Sequence, residues 1–288
     1  MSDDPGLSET AATPLDPWHS LRRFTNARIA LGRSGVSLPT RELLPFGWAH
    51  AQARDAVHRP LDVAVLLARL RDAGAMAPTD EALVLASQAG DRQHYLLRPD
   101  LGRRLDEQSR ALLKSHAGAE PDRRDDVVFV IADGLSAQAA LHQAAPLLGR
   151  LIARLAGDHR IAPLVVATQG RVALGDEVGE LLGARLVVML LGERPGLSSP
   201  HSLGVYLTHA PRVGTPDSAR NCVSNIHAGG LSTDQAAHRL DWLIRAALAR
   251  GLTGVSLKDD SIAPVSITTA TPASMPAVAG PDRRPDCA

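Results

Sequence analysis

Residues 127–155, VVFVIADGLSAQAALHQAAPLLGRLIARL, decide the fold. The first six are apolar without a break, too short a run for a helix and lacking the alternation of a half-exposed strand, so they describe a strand buried on both faces. A turn, Asp133-Gly134-Leu135-Ser136, follows, and leucine and isoleucine then recur at helical spacing as far as Leu155. The same rhythm returns downstream in PLVVAT (163–168) with GDEVGELLGA (175–184), and in RLVVMLLG (185–192), which stops at ERPGL (193–197). LGVYLTHA (203–210) adds a further strand. Short buried strands separated by amphipathic helices predict an α/β fold in which a parallel sheet is flanked by helices, a Rossmann-like arrangement.

Working outward, STDQAAHRLDWLIRAALARG (232–251) is a long helix with Ser232 or Thr233 as N-cap and Gly251 as its stop. Upstream the pattern is helical from Trp18 to Gly74, with Pro45 set inside the second helix, where it is either early enough to be tolerated or a source of a kink. LVLAS (83–87), the turn QAGDR and HYLLR (94–98) predict a hairpin feeding a helix near 100–116. The expected organisation is therefore a tail at 1–17, a mostly helical region at 18–120, an α/β domain at 121–260 and a Pro-rich tail at 261–288, both tails lacking regular structure.

Composition removes several functions. In 288 residues, Lys+Arg and Asp+Glu both number 31, leaving no excess positive charge to attract nucleic acid. No run approaches a membrane span and the N-terminus lacks the regions of a signal peptide, so the expected location is the cytoplasm, in free cytosol or within a microcompartment. The only lysines, Lys114 and Lys258, lie in polar settings, which disfavours Schiff-base chemistry. Cys222 and Cys287 make no disulfide framework, the histidines show no H-x-x-x-H spacing, and neither G-x-G-x-x-G nor a P-loop occurs. D-x-H-x-x-G, which supplies a histidine to cobalt in one class of cobalamin proteins, is also absent.

In such sheets ligands bind beyond the carboxyl ends of the strands, where DGLS, TQGR and GERPG all lie. Asp133 is either a helix cap or a ligand-facing acceptor. Glu193 and Arg194, caught between a buried strand and a Pro-Gly turn, are either a solvated pair or site residues. Cys222 is either a small core residue or a nucleophile with His227, five positions on, as its base, a pairing that is not expected because no third group is suggested. No catalytic side chains and no protein-held metal are expected.

Five stretches, LRRFTNARIALGRSGVSLPTRELL (21–44), HYLLRPDLGRRLDEQS (94–109), VVFVIADGLSAQA (127–139), GRVALGDEVGELLGARLVVMLLGERPGLSSPHSLGVY (170–206) and NCVSNIHAGG (221–230), together resemble the small subunit of ethanolamine ammonia-lyase, in order from about 20 to 257. The resemblance implies a subunit of an adenosylcobalamin-dependent lyase that converts ethanolamine to acetaldehyde and ammonia by a radical route. It further implies that the radical site belongs to a large partner subunit, that the cofactor lies between the two chains, and that the cobalt keeps its own dimethylbenzimidazole ligand. The family's cofactor contacts fall on Val172, Glu193 and Cys222. The spacing from Glu193 to Cys222 is one residue shorter than the family pattern, and Pro45 and the Pro-rich tail also depart from it. On residues alone, a stand-alone α/β binding or regulatory protein is the alternative.

Overall fold

The computed structural model describes residues 16–120 and 122–261; the expected tails lie almost wholly outside the described residues. A 3-10 turn at Pro17–Phe24 opens the chain, followed by α1 (Thr40–His58) and α2 (Val63–Asp72). Pro45 sits at the sixth position of α1 and the helix continues across it. Gly74, just past the cap of α2, takes φ +69°, the left-handed conformation that ends helices.

Next come β1 (Leu83–Ala86), α3 (Arg92–Leu97) and α4 (Glu107–Ala119). The expected hairpin does not form. Asp91 accepts a hydrogen bond from the His94 N–H at 2.8 Å and so caps a helix where the second hairpin strand was expected. β1 pairs instead with a strand some eighty residues on, in parallel.

Then follow β2 (Val127–Ala132), α5 (Ala137–Ala139), which passes through one π-turn at Ala140–Ala144 into α6 (Ala145–Leu155), β3 (Val165–Thr168), α7 (Leu174–Leu182) and β4 (Leu186–Gly192). β5 (Leu203–His209), β6 (Asn221–Ile226) and α8 (Thr233–Arg250) complete the described chain. Ser232 caps α8 in a reciprocal capping box with Gln235, and Gly251 at φ +69° closes it.

The sheet order is β1-β3-β2-β4-β5-β6. The first four strands are parallel, as expected. β4–β5 and β5–β6 are antiparallel, so the sheet is mixed and the all-parallel expectation is corrected. The chain returns along β5 with no crossover helix after β4, because the short loop 193–202 reaches only an antiparallel neighbour.

The unbroken apolar strands are explained by two cores. In β2, Val127, Phe129 and Ile131 face the layer made by α2, α5–α6 and α8, while Val128, Val130 and Ala132 face the layer made by α4 and α7. In β5 Leu203, Val205 and Leu207 enter the first core, while Gly204, Tyr206 and Thr208 point to the other side, where Gly204 and Thr208 are buried and Tyr206 is half-buried. On that side Tyr206 lines a cleft. No helix among the described residues is long and apolar enough to cross a membrane.

One contact admits no side chain. A Cβ at Gly192 would stand 2.1 Å from the Ser136 carbonyl oxygen and 2.4 Å from that of Asp133. Gly192→Ala should therefore cost about 2–4 kcal/mol, whereas Gly157→Ala, whose Cβ meets nothing within 4 Å, should be nearly neutral. Pulse proteolysis in urea, run on dilute chain, compares the two; equal midpoints would show that the strand end yields freely.

Candidate functional site

Three loops leave the carboxyl ends of β2, β3 and β4 side by side, and beyond them opens a cleft of about 1030 Å³. That is at the top of the usual range for small-molecule sites, roughly 300–1,000 Å³, so it suits a ligand far larger than a few-carbon metabolite. Val172, from the loop after β3, Glu193, just past β4, and Cys222, on β6, all line it. Asp133 and His227 do not.

Glu193 is fixed before any ligand arrives. The Ser202 hydroxyl donates to its Oε2 at 2.5 Å, the Asn225 N–H approaches both carboxylate oxygens at 3.3 and 3.4 Å, and its own N–H donates to the Ser202 carbonyl at 3.0 Å. Gly204 makes the room, since a Cβ there would lie 2.8 Å from Oε1. An ionised carboxylate offers roughly four acceptor positions, and two donors leave it capacity toward the cleft. Arg194 is exposed at the rim and is not paired with Glu193 among the described residues.

Cys222 is exposed to the cleft, so the core alternative is wrong. It stands opposite Tyr206 in the β5–β6 pairing. The enclosing walls push its thiol upward, the Tyr206 hydroxyl opposes this, and the Glu193 charge adds to it. Burial, with Cys222 and Glu193 nearby, likewise pushes the Tyr206 phenol up. Both groups stay protonated at neutral pH, and a protonated thiol is a poor nucleophile. His227 is engaged elsewhere: its Nε2 lies 2.7 Å from Asn225 Oδ1, while Nδ1 accepts from the Gly229 N–H at 3.1 Å. Val172 is half-buried on the last turn before α7.

Asp133 is not the helix cap; Ser136 caps α5, accepting from the Ala139 N–H at 3.3 Å. Fully buried, Asp133 accepts from the Gly170 N–H at 3.2 Å through Oδ1 and pairs with Arg92 Nη1 at 3.2 Å through Oδ2. Arg92 also donates to the carbonyls of Gly134 at 2.8 Å and Val57 at 2.6 Å. Its guanidinium lies 4.8 Å from the centre of the Tyr95 ring and that of Arg171 lies 4.2 Å from the same ring. The Tyr95 hydroxyl donates to the Gly170 carbonyl at 3.1 Å. This polar strut, which the sequence reading missed, ties α3 to the loops after β2 and β3. The opposite wall, 213–217, is held by Arg220, which grips Asp176 on α7 in two hydrogen bonds of 2.5 and 2.7 Å and donates to the Thr215 carbonyl at 2.7 Å. No group of three His, Cys, Asp or Glu side chains among the described residues could hold a metal ion.

The fold is of the α/β class, with a mixed six-stranded sheet and a cleft at the ends of its parallel strands. The family model "Ethanolamine ammonia-lyase light chain" matches residues 15–258, and the chain belongs to that family. Among similar proteins, one named ethanolamine ammonia-lyase small subunit from Pseudomonas fluorescens (strain Pf0-1) is 55% identical over 256 residues, covering 88% of this chain and 91% of that one. Its counterpart from Pseudomonas putida (strain KT2440) is 56% identical over 88% of this chain and 92% of its own length. That from Ralstonia nicotianae is 54% identical over 92% and 96%. The chain is thus a subunit of a lyase family.

Burial pushes the Asp133 carboxyl up to about 6, against the opposing pull of Arg92 and of the Gln169 and Gly170 N–H groups. A folded pKa above the unfolded value of 3.8 means that the stability tied to this proton is fully present below 3.8 and is lost as pH rises through about 6. Relative to Asp133→Asn, the native chain should lose on the order of 3 kcal/mol over that interval. Urea unfolding followed by tryptophan emission measures it; parallel curves for the two proteins would mean that Asp133 is ionised throughout.

Proposed function

We propose that this chain is the small subunit of an adenosylcobalamin-dependent ethanolamine ammonia-lyase and holds one side of the corrin, the large subunit holding the other. The observation that carries this reading is the convergence of Val172, Glu193 and Cys222, from three separate elements, on one large cleft.

The residues present fit such a ligand. Leu135, Val172 and Leu191 supply apolar contact for a flat ring system, and Cys222 adds a small side chain beside them. Glu193, fixed and still able to accept, lines the cleft and would accept from amide N–H groups on the ring edge. When bound, adenosylcobalamin supplies the homolysis of a cobalt–carbon bond from which the radical conversion of ethanolamine to acetaldehyde and ammonia begins. This chain orients the ring, fills its near side and keeps water from it. It has no part in proton transfer: the Glu193 carboxylate is engaged by Ser202 and Asn225, and the Cys222 and Tyr206 protons are held. The radical site is therefore assigned to the large subunit.

A partner is also supported by what the N-terminal arm leaves uncovered. Trp18, Phe24, Leu44 and Trp48 are each about two-thirds exposed or more, and Val36 wholly so. The helical pattern of Trp18, Leu21 and Phe24 marks an apolar face that finds no cover within the described chain. A patch of this kind marks an interface, and the large subunit is its occupant.

Glu193→Gln turns part of the acceptor into a donor facing donors, and should weaken cobalamin binding by the assembled complex by about 1–3 kcal/mol. Spectrophotometric titration reads it; unchanged affinity removes Glu193 from the contact set. The chain alone should bind adenosylcobalamin weakly and form no acetaldehyde. Adding the large subunit should bring cofactor absorbance and ethanolamine deamination together, whereas micromolar binding or turnover by this chain alone would defeat the shared-site reading.

A further inference from the structure

The cleft sorts its charges, and three of its arginines have no carboxylate. Arg103, Arg104, Arg171, Arg194 and Arg220 line it, with Glu193 and Asp217 as the acidic lining residues. Arg220 is matched by Asp176 and Asp217, and Arg104 by Glu177 behind the wall. Arg103, Arg171 and Arg194 form no ion pair among the described residues. A chain with equal numbers of basic and acidic residues has thus gathered surplus positive charge in one cavity.

Arg171 is the built part of this wall. Its guanidinium lies over the ring of Tyr95, a fully buried residue, and Nη2 donates to the Tyr95 carbonyl at 3.3 Å. Its Nε is out of reach of water and has no hydrogen-bond partner. Gly102 clears its path, since a Cβ there would stand 2.9 Å from Arg171 Cγ, and the Gly102 carbonyl accepts the Arg171 N–H at 2.8 Å. Val172 and Ala173, which follow it, line the cleft as well. A fixed guanidinium on a cavity wall, with two further arginines free of carboxylate partners, is complementary to a tetrahedral oxyanion.

We propose that Arg171, with Arg103 and Arg194, forms an anion subsite that takes a phosphate ester, namely the phosphodiester in the nucleotide arm of the corrinoid. This rests on the corrinoid reading of the cleft. It divides the labour within the cavity: Glu193 accepts from amides, while the arginines receive the phosphate and so set which way round the ring lies.

The test uses the complex of this chain with the large subunit and compares adenosylcobalamin with adenosylcobinamide, which has the same ring and amides but no nucleotide arm. Arg171→Gln should weaken adenosylcobalamin binding about tenfold to a hundredfold, the worth of a charge-assisted bond, and change adenosylcobinamide binding by less than about twofold. Retained adenosylcobinamide binding shows that the variant is folded and assembled. The double variant Arg103→Gln/Arg194→Gln should act in the same direction, and inorganic phosphate should compete with the complete cofactor while leaving adenosylcobinamide untouched. Equal losses for both ligands, or no loss for either, overturn the subsite. Failure of the native complex to bind either corrinoid defeats the corrinoid reading itself. Arginine-dependent binding of phosphate alone in that case would point to a free anion and overturn the phosphodiester assignment.

Discussion

The end of β4 and the turn that leaves β2 touch through backbone alone. The Leu135 N–H donates to the Gly192 carbonyl at 2.8 Å, and a Cβ on Gly134 would stand 2.2 Å from that same oxygen. Gly134 also holds φ +54°, a conformation costly for other residues. Because neither side contributes a Cβ, β4 stays paired with β2 to its last residues, and the chain leaves the sheet only at Glu193. The carboxylate then falls over Gly204 on the neighbouring strand, again where no side chain competes. Three glycines in three strand regions thus fix the height at which one acceptor meets the cleft.

The strut around Asp133 has a different logic. Burying a carboxylate with an arginine gains little over apolar packing, because desolvation offsets the attraction, and the raised Asp133 pKa reflects that cost. Its use is geometric. Asp133 leaves β2, Gly170 leaves β3, and Arg92 and Tyr95 come from α3; the hydrogen bonds among them hold these segments in one register. Arg220 and Asp176 do the same for the opposite wall. Buried charge pairs therefore stand at both sides of the cavity, where loops must be positioned without a hydrophobic core to hold them.

Much of this was legible in the residues. Unalternating VVFVIA and LVVML stated that both faces of those strands are covered, and the four parallel strands follow. LGVYLTH carried a different signal, since Leu203, Val205 and Leu207 alternate with Gly204, Tyr206 and Thr208, the pattern common in antiparallel pairing. β5 is indeed antiparallel to both of its neighbours, and the strong parallel rhythm before it obscured this. Capping residues misled twice: Asp91 in a turn-like QAGDR starts a helix, and Asp133 beside Ser136 is not a cap, because a residue's reach to a partner loop is invisible along the chain. NCVSNI escaped notice as a strand because three of its six residues are polar; two apolar positions, Val223 and Ile226, suffice to anchor an edge. Val172, Glu193 and Cys222 came from family resemblance, and spacing alone does not bring them together.

The mixed sheet also explains where the cleft lies. After β4 the chain returns at once along β5 through the loop 193–202, with no helix between them, so Glu193 and Arg194 sit at the strand end beside β5. β6 then places Cys222 opposite the half-buried Tyr206, and both line the same cavity as Val172 from the loop after β3. Arg220 with Asp176 braces one side of that cavity, and Tyr95, under the Arg171 guanidinium, closes another. The antiparallel return therefore brings to one surface residues from the ends of β3 and β4 and from β6, far apart along the chain.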